Sequence, residues 1–332
     1  MFRSRAEVMD VLENPESGYS LPQPVDRETT IDPQENGGLL FSDENQITHI
    51  SGSVSVPGAE KPVEYSGSMP DQLHSRLTNI VVPGFGGVGG SYVRFADAVA
   101  AQEGVFTISF TPARSSQKLS DPQRVHSDTI AAITQNLPNN NELDNTQNGT
   151  DIDFSQVTTV LHSMGGIPGT RYALKNPGEV ANAVYMNSVG LERSRLPGRY
   201  LMRIGPCAAT EMLPAFINGD FKDFRNITTA WRMGKHLLGN MGQTGGEIIT
   251  CHTSNLLENI VELGKLGVKR AMFYGGKDHL VPAEPSVKLA GHLVDYCLVA
   301  PELDHFGPQK KPEITAGYIG NILRELSPAP TS

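Results

Sequence analysis

The chain has 332 residues, 38% of them hydrophobic and 19% charged, with a net charge of −9 from 27 basic and 36 acidic residues. The hydrophobic share supports a buried core and excludes a compositionally disordered chain, and the acidic balance gives no global attraction to nucleic acid or an anionic membrane. No run of about 18 apolar residues occurs, so stable membrane insertion through a transmembrane helix is not expected.

Residues 1–45 hold ten acids against Arg3, Arg5 and Arg27, with Pro15, Pro22, Pro24 and Pro33. They read as an acidic N-terminal extension, partly loop, laid on or beside a main domain. The opening MFRSRAEVMDVLENPESG lacks the apolar stretch of a signal peptide. Cys207, Cys251 and Cys297 form no close pair, which speaks against a disulfide framework or a thiolate metal cluster. Both features fit a cytoplasmic chain with reduced thiols.

From residue 46 the pattern changes. ITHISGSVSV alternates apolar and polar residues as a half-exposed strand does, and Val63–Met69 can pair with it. Six apolar runs follow: Leu77–Val82, Val105–Phe110, Val157–Leu161, Val180–Met186, Val268–Tyr274 and Val294–Val299. Short β-branched runs without alternation suit strands buried on both faces. Helical spacing appears between and after them, as in Tyr92, Phe95, Ala96, Val99 and Ala100, and in Ile314, Tyr318, Ile322 and Leu326. Strand–helix alternation over this length predicts an α/β fold with a doubly wound, mostly parallel sheet. The polar stretch Pro138–Thr150 reads as a surface loop. Residues 191–250 are too long for a plain crossover and read as a helical cap inserted late in the sheet, which divides the core into 46–190 and 251–332.

The strongest local signal is VTTVLHSMGG, residues 157–166. A buried strand ends, Ser163 follows, then Met164, Gly165 and Gly166 lead into a helix. A serine on so sharp a corner is exposed for attack, and small neighbours relieve the crowding. The alternative is a serine that only caps the helix. Leu161 stands where a G-x-S-x-G corner would have its first small residue.

In an open parallel sheet a site lies at the carboxyl ends of the strands. Asp278 follows one predicted strand through Gly275-Gly276-Lys277, and His305 follows the next through Pro301-Glu302-Leu303-Asp304. Both reach the edge of Ser163, in the chain order Ser, Asp, His known for triads of nucleophile, acid and base. His279 shares the turn of Asp278 but points elsewhere, His292 ends a helix at the opposite edge, His162 packs beside the sheet, and Asp304 is badly placed to bond the neighbouring ring.

The glycine-rich stretch 83–90, PGFGGVGG, admits two readings. In one, the Phe85 amide joins the Met164 amide to form an oxyanion hole. In the other, Gly84-x-Gly86-x-x-Gly89 is a dinucleotide fingerprint. The following strand ends without an acid and Arg114 could meet a 2′-phosphate, so this alternative is an NADP-dependent oxidoreductase. It leaves Ser163, Asp278 and His305 unexplained.

The residues PGFGG at 83–87, HSMGG at 162–166, GGKDHLVP at 275–282 and DHFGP at 304–308 resemble the α/β-hydrolase superfamily, over roughly residues 75–326. The resemblance implies Ser163 as nucleophile, Asp278 as acid, His305 as base, and Phe85 and Met164 as oxyanion donors. The expected activity is hydrolysis of carboxylic esters through an acyl-enzyme, with no metal or organic cofactor. An acyltransferase would use the same groups, and the superfamily also holds members that bind without catalysis. The predicted cap carries Met202, Met212, Met233, Met241, Phe216, Phe221, Phe224 and Trp231. If Phe224 and Trp231 face the site rather than the cap's own core, a small-molecule or lipid-like ester with an apolar acyl group is the expected substrate.

Overall fold

A computed structural model describes residues 47–75, 77–84, 89–112, 122–137, 152–191, 203 and 254–326. Among these, eight strands form one sheet: β1 (Ile47–Val54), β2 (Val63–Pro70), β3 (Leu77–Val82), β4 (Thr107–Phe110), β5 (Asp153–His162), β6 (Val180–Met186), β7 (Lys269–Gly275) and β8 (Tyr296–Ala300). Their order is β1-β2-β4-β3-β5-β6-β7-β8. The β1–β2 and β2–β4 pairs are antiparallel, and every pair from β4 onward is parallel.

The helices α1 (Val93–Glu103), α2 (Pro122–Asn136), α3 (Gly166–Lys175), α4 (Leu256–Lys265), α5 (Ala283–Ala290), α6 (Gly307–Lys310) and α7 (Pro312–Leu326) cover both faces. Phe95 and Val99 of α1 share one core with Ile319 and Ile322 of α7. Ile130 of α2, Tyr172 of α3, Ile260 of α4 and Ala290 of α5 lie in the core of the other face. The central strands feed both. On β6, Ala183 and Tyr185 face one core while Val184 and Met186 face the other, and on β7 Met272 and Tyr274 alternate with Ala271 and Phe273. A strand buried on both sides needs apolar residues at every position, which is why these segments are unbroken hydrophobic runs. At the antiparallel edge, β1 buries Ile50 and Val54 and exposes His49, Ser51 and Ser53. Its sequence alternates for that reason.

The expected strands are all present. Several ends differ: Val105 and Phe106 are buried but precede β4, β5 runs from Asp153 to His162 rather than over its apolar run alone, β7 is Lys269–Gly275 rather than Val268–Tyr274, and β8 is Tyr296–Ala300 rather than Val294–Val299. The predicted extension, residues 1–45, the surface loop at 138–150, and the predicted cap apart from Leu191 and Arg203 lie outside the described residues. No helix among the described residues is long and apolar enough to cross a membrane.

Candidate active site

Parallel strands all point their carboxyl ends to one edge, and β5, β7 and β8 each deliver one polar residue there. Ser163 comes first after β5, with φ +52, a left-handed conformation rare outside glycine. The corner is closed by its surroundings: the Val189 amide donates to the Ser163 carbonyl at 3.2 Å, and the Ser188 hydroxyl to the Leu161 carbonyl at 2.8 Å. Two glycines make room for it. A Cβ on Gly165 would stand 2.8 Å from the Pro83 carbonyl oxygen, and one on Gly84 would stand 2.7 Å from the Ser163 Cβ.

His305 lies beyond β8. Its Nε2 is 3.0 Å from the Ser163 Oγ, and its Nδ1 is 2.7 Å from the Asp278 Oδ2. A carboxylate only accepts, so Nδ1 carries the proton and Nε2 presents its lone pair to the serine hydroxyl. The other Asp278 oxygen accepts from the Leu280 and Val281 amides at 2.8 and 2.7 Å. The Asp278 side chain is 0% exposed, and three N–H donors offset the cost of burying its charge. All three residues predicted from the sequence are therefore brought together in one hydrogen-bonded chain.

The other candidates separate from them. His279 and His292 are exposed. The Asp304 carboxylate accepts from the Phe306 amide at 2.9 Å and from Lys310 at 2.6 Å, not from the neighbouring imidazole. Met164 is buried in the short helical turn that starts at Ser163. Phe85, Gly86, Arg114, Phe224 and Trp231 lie outside the described residues. No group of three or more His, Cys, Asp or Glu among the described residues is placed to hold a metal ion.

Three residues of the site escape a reading of the sequence. His162 is buried as expected, but its ring is not idle: Nδ1 is 2.6 Å from the Tyr92 hydroxyl and Nε2 is 2.9 Å from the His305 carbonyl oxygen. Burial, with a smaller effect from the charge of His305, pushes its pKa down to about 3, so the ring stays neutral. Tyr92 reads as one more apolar position of a helical repeat. Asn187, just past β6 with φ +47, accepts from the Gly275 amide at 2.8 Å and donates to the Asp304 carbonyl at 3.3 Å. It thus holds the end of β7 to the segment that carries His305. Only its position after a strand end could have drawn notice.

No protein-family model matches the chain, and no curated protein sequence matches it. Solved structures do. A bacterial membrane phospholipase A superposes with a TM-score of 0.58 at 14% identity, over 85% of this chain and 87% of that one. An esterase from Thermogutta terrifontis superposes with a TM-score of 0.55 at 16% identity, over 83% and 99%. An enol-lactonase from Burkholderia xenovorans gives 0.58 at 12% identity, over 82% and 99%. The chain has the α/β-hydrolase fold. In this α/β-hydrolase fold the predicted insertion falls between β6 and β7, and Ser163, Asp278 and His305 follow β5, β7 and β8.

Proposed function

We propose that the chain is a serine hydrolase of carboxylic esters, working through an acyl-enzyme. The hydrogen-bonded chain Ser163–His305–Asp278 carries the reading. The Ser163 Oγ attacks the ester carbonyl as its proton passes to the His305 Nε2. Asp278 keeps the ring in the tautomer that accepts this proton and stabilises the imidazolium that forms. The proton then moves to the leaving alcohol, the C–O bond breaks, and the acyl group stays on Ser163. Water, deprotonated by His305, releases the acid. Another alcohol as acceptor would make the same groups an acyltransferase.

The Met164 and Phe85 amides serve as oxyanion donors in this scheme. Gly84 supports the assignment of the glycine loop to this chemistry. Its missing side chain is accounted for by the approach of Ser163, without a dinucleotide. The phospholipase, esterase and lactonase that share the fold are named for cleaving bonds of this kind. Residues 191–250 would form the cap, and apolar groups there, Phe224 and Trp231 among them, would select the acyl chain.

A fluorophosphonate probe followed by mass mapping tests the reading. Label on Ser163 is expected, and an unlabelled chain that binds NADP would overturn it. A series of p-nitrophenyl esters from acetate to decanoate tests the acyl preference. Each buried methylene adds about 0.8 kcal/mol, so two extra carbons should raise kcat/KM roughly tenfold. A steady fall from acetate upward removes the apolar acyl site.

A further inference from the structure

The Tyr92–His162 pair has no part in the scheme above, yet each of its polar contacts is buried. The directions of those contacts are fixed by chemistry. The His305 carbonyl can only accept, so the His162 Nε2 must carry the hydrogen. Being neutral, the ring then has only a lone pair at Nδ1, and the Tyr92 hydroxyl must donate to it. The Tyr92 oxygen in turn accepts from the Gly84 amide at 3.2 Å, and the Gln309 side chain also interacts with it. A single ordered path therefore runs from the Gly84 N–H through Tyr92 and His162 to the carbonyl of His305. Gly84 itself lies against Ser163, where a Cβ at 84 would stand 2.7 Å from the Ser163 Cβ. At the other end, the His162 and His305 rings pack with centroids 5.1 Å apart.

We propose that Tyr92 and His162 are positioning residues: their ordered bridge locks the main chain of His305 to Gly84, so that the base meets Ser163 in one fixed geometry. The proposal rests on the reading of Ser163 as nucleophile and His305 as its base. A space-filling role would need only the bulk of the two rings. A positioning role needs a donor at the place of Nε2 and a hydroxyl on residue 92.

Four variants separate these roles. A Gln side chain carries its amide nitrogen to about the place of Nε2, whereas an Asn amide ends near the place of Nδ1. His162→Gln keeps the donor to the His305 carbonyl but offers the Tyr92 hydroxyl no acceptor at the place of Nδ1, so it should lose less in kcat than His162→Leu, by about 3-fold or more. His162→Asn, His162→Leu and Tyr92→Phe should each lose about 10- to 100-fold in kcat with KM changed by less than about 3-fold, as misplacement near 1 Å does. Combining Tyr92→Phe with His162→Leu should cost little more than the worse single change, because the two act as one unit. Equal losses for Gln and Leu, losses that fall on KM, or losses that add in the double variant would each overturn the proposal.

Two further measurements keep the outcome readable. Long-range 1H–15N spectra of the wild type should show His162 as the Nε2–H tautomer, and the Nδ1–H tautomer would overturn the bridge even if a variant failed to fold. Fluorophosphonate labelling separates this proposal from the one beneath it. A wild-type chain that neither labels nor hydrolyses overturns the hydrolase and the positioning role together. Labelling of Ser163 at the wild-type rate in His162→Leu overturns the positioning role alone.

Discussion

Leu161 and Gly169 fit each other: the Leu161 side chain fills the place that a Cβ at 169 would need. Leu161 is fully buried at the end of β5, and Gly169 lies one turn into α3. The sharp corner between strand and helix brings them together. A small residue in the strand would usually give this clearance, and here the helix gives it instead.

The pair should therefore be coupled in stability. Leu161→Ala should cost about 2–5 kcal/mol through the cavity it leaves. Gly169→Ala should cost about 1–3 kcal/mol through overpacking, partly offset by better helix propensity. The double variant should be more stable than the sum of the two losses implies. Urea unfolding of the four proteins measures the coupling, and strict additivity would mean that the two residues do not share the space.

Ser163 combines a proposed chemical role with a strained backbone. Ser163→Ala should lower ester turnover by about 10⁴- to 10⁶-fold while the fold persists. Ser163→Gly should be as inactive, yet more stable than Ser163→Ala by about 1 kcal/mol, because glycine takes φ +52 without a Cβ clash. Turnover near the wild-type level in a clean Ser163→Ala preparation would refute the nucleophile. Equal stability of the two variants would refute the strain.

The two acids beside His305 should behave differently. Asp278→Asn should lose about 10⁴-fold in kcat, since an amide in that place can hold the ring in the wrong tautomer. Asp304→Asn should keep most activity, because its carboxylate serves the Phe306 amide and Lys310. Steady-state kinetics on both variants decides the matter, and the reverse ranking would identify Asp304 as the acid.

His162 links stability to pH. Its pKa falls from 6.5 in the unfolded chain to about 3 in the folded one, because burial disfavours the charged ring. Between these values the unfolded state binds a proton that the folded state does not, so stability rises with pH across that window. The contribution is complete above 6.5 and is lost as pH falls toward 3. One proton of difference corresponds to a slope of about 1.4 kcal/mol per pH unit. His162→Gln has no ring to titrate, so its stability should fall less than that of the wild type between about pH 6.5 and pH 4.5 in urea titrations. Parallel curves would show that His162 is not the group responsible.

Most of the sheet and the three residues of the Ser163 chain were legible because each has a local cause. Strands buried on both faces need unbroken apolar runs, and the strand ends at Ser163, Asp278 and His305 carry polar residues next to turns. The supporting residues have causes that lie far away in sequence. Tyr92 has the spacing of a core residue, and its hydroxyl matters only because His162 lies across the fold. Leu161 looks like a flaw in the corner until Gly169 is seen against it. Asn187 bonds to Gly275 and Asp304, whose nearness depends on the order of β6, β7 and β8. Contacts of this kind leave no periodicity in the chain.

β6 and β7 are direct neighbours, paired from Asn182 with Lys269 to Met186 with Phe273, although residues 187–268 run between them. Their register owes nothing to the length of that excursion. Ser163 precedes it, and Asp278 and His305 follow it. Under the proposed function, reaction and recognition would thus be free to change at separate rates in a lineage built on this plan. On that reading the stretch 192–253 could be recast, or exchanged with that of another member of the fold, while Ser163, Asp278 and His305 keep their places. If that stretch forms the proposed cap, a graft of it should carry the donor's choice of ester onto the chemistry proposed for Ser163.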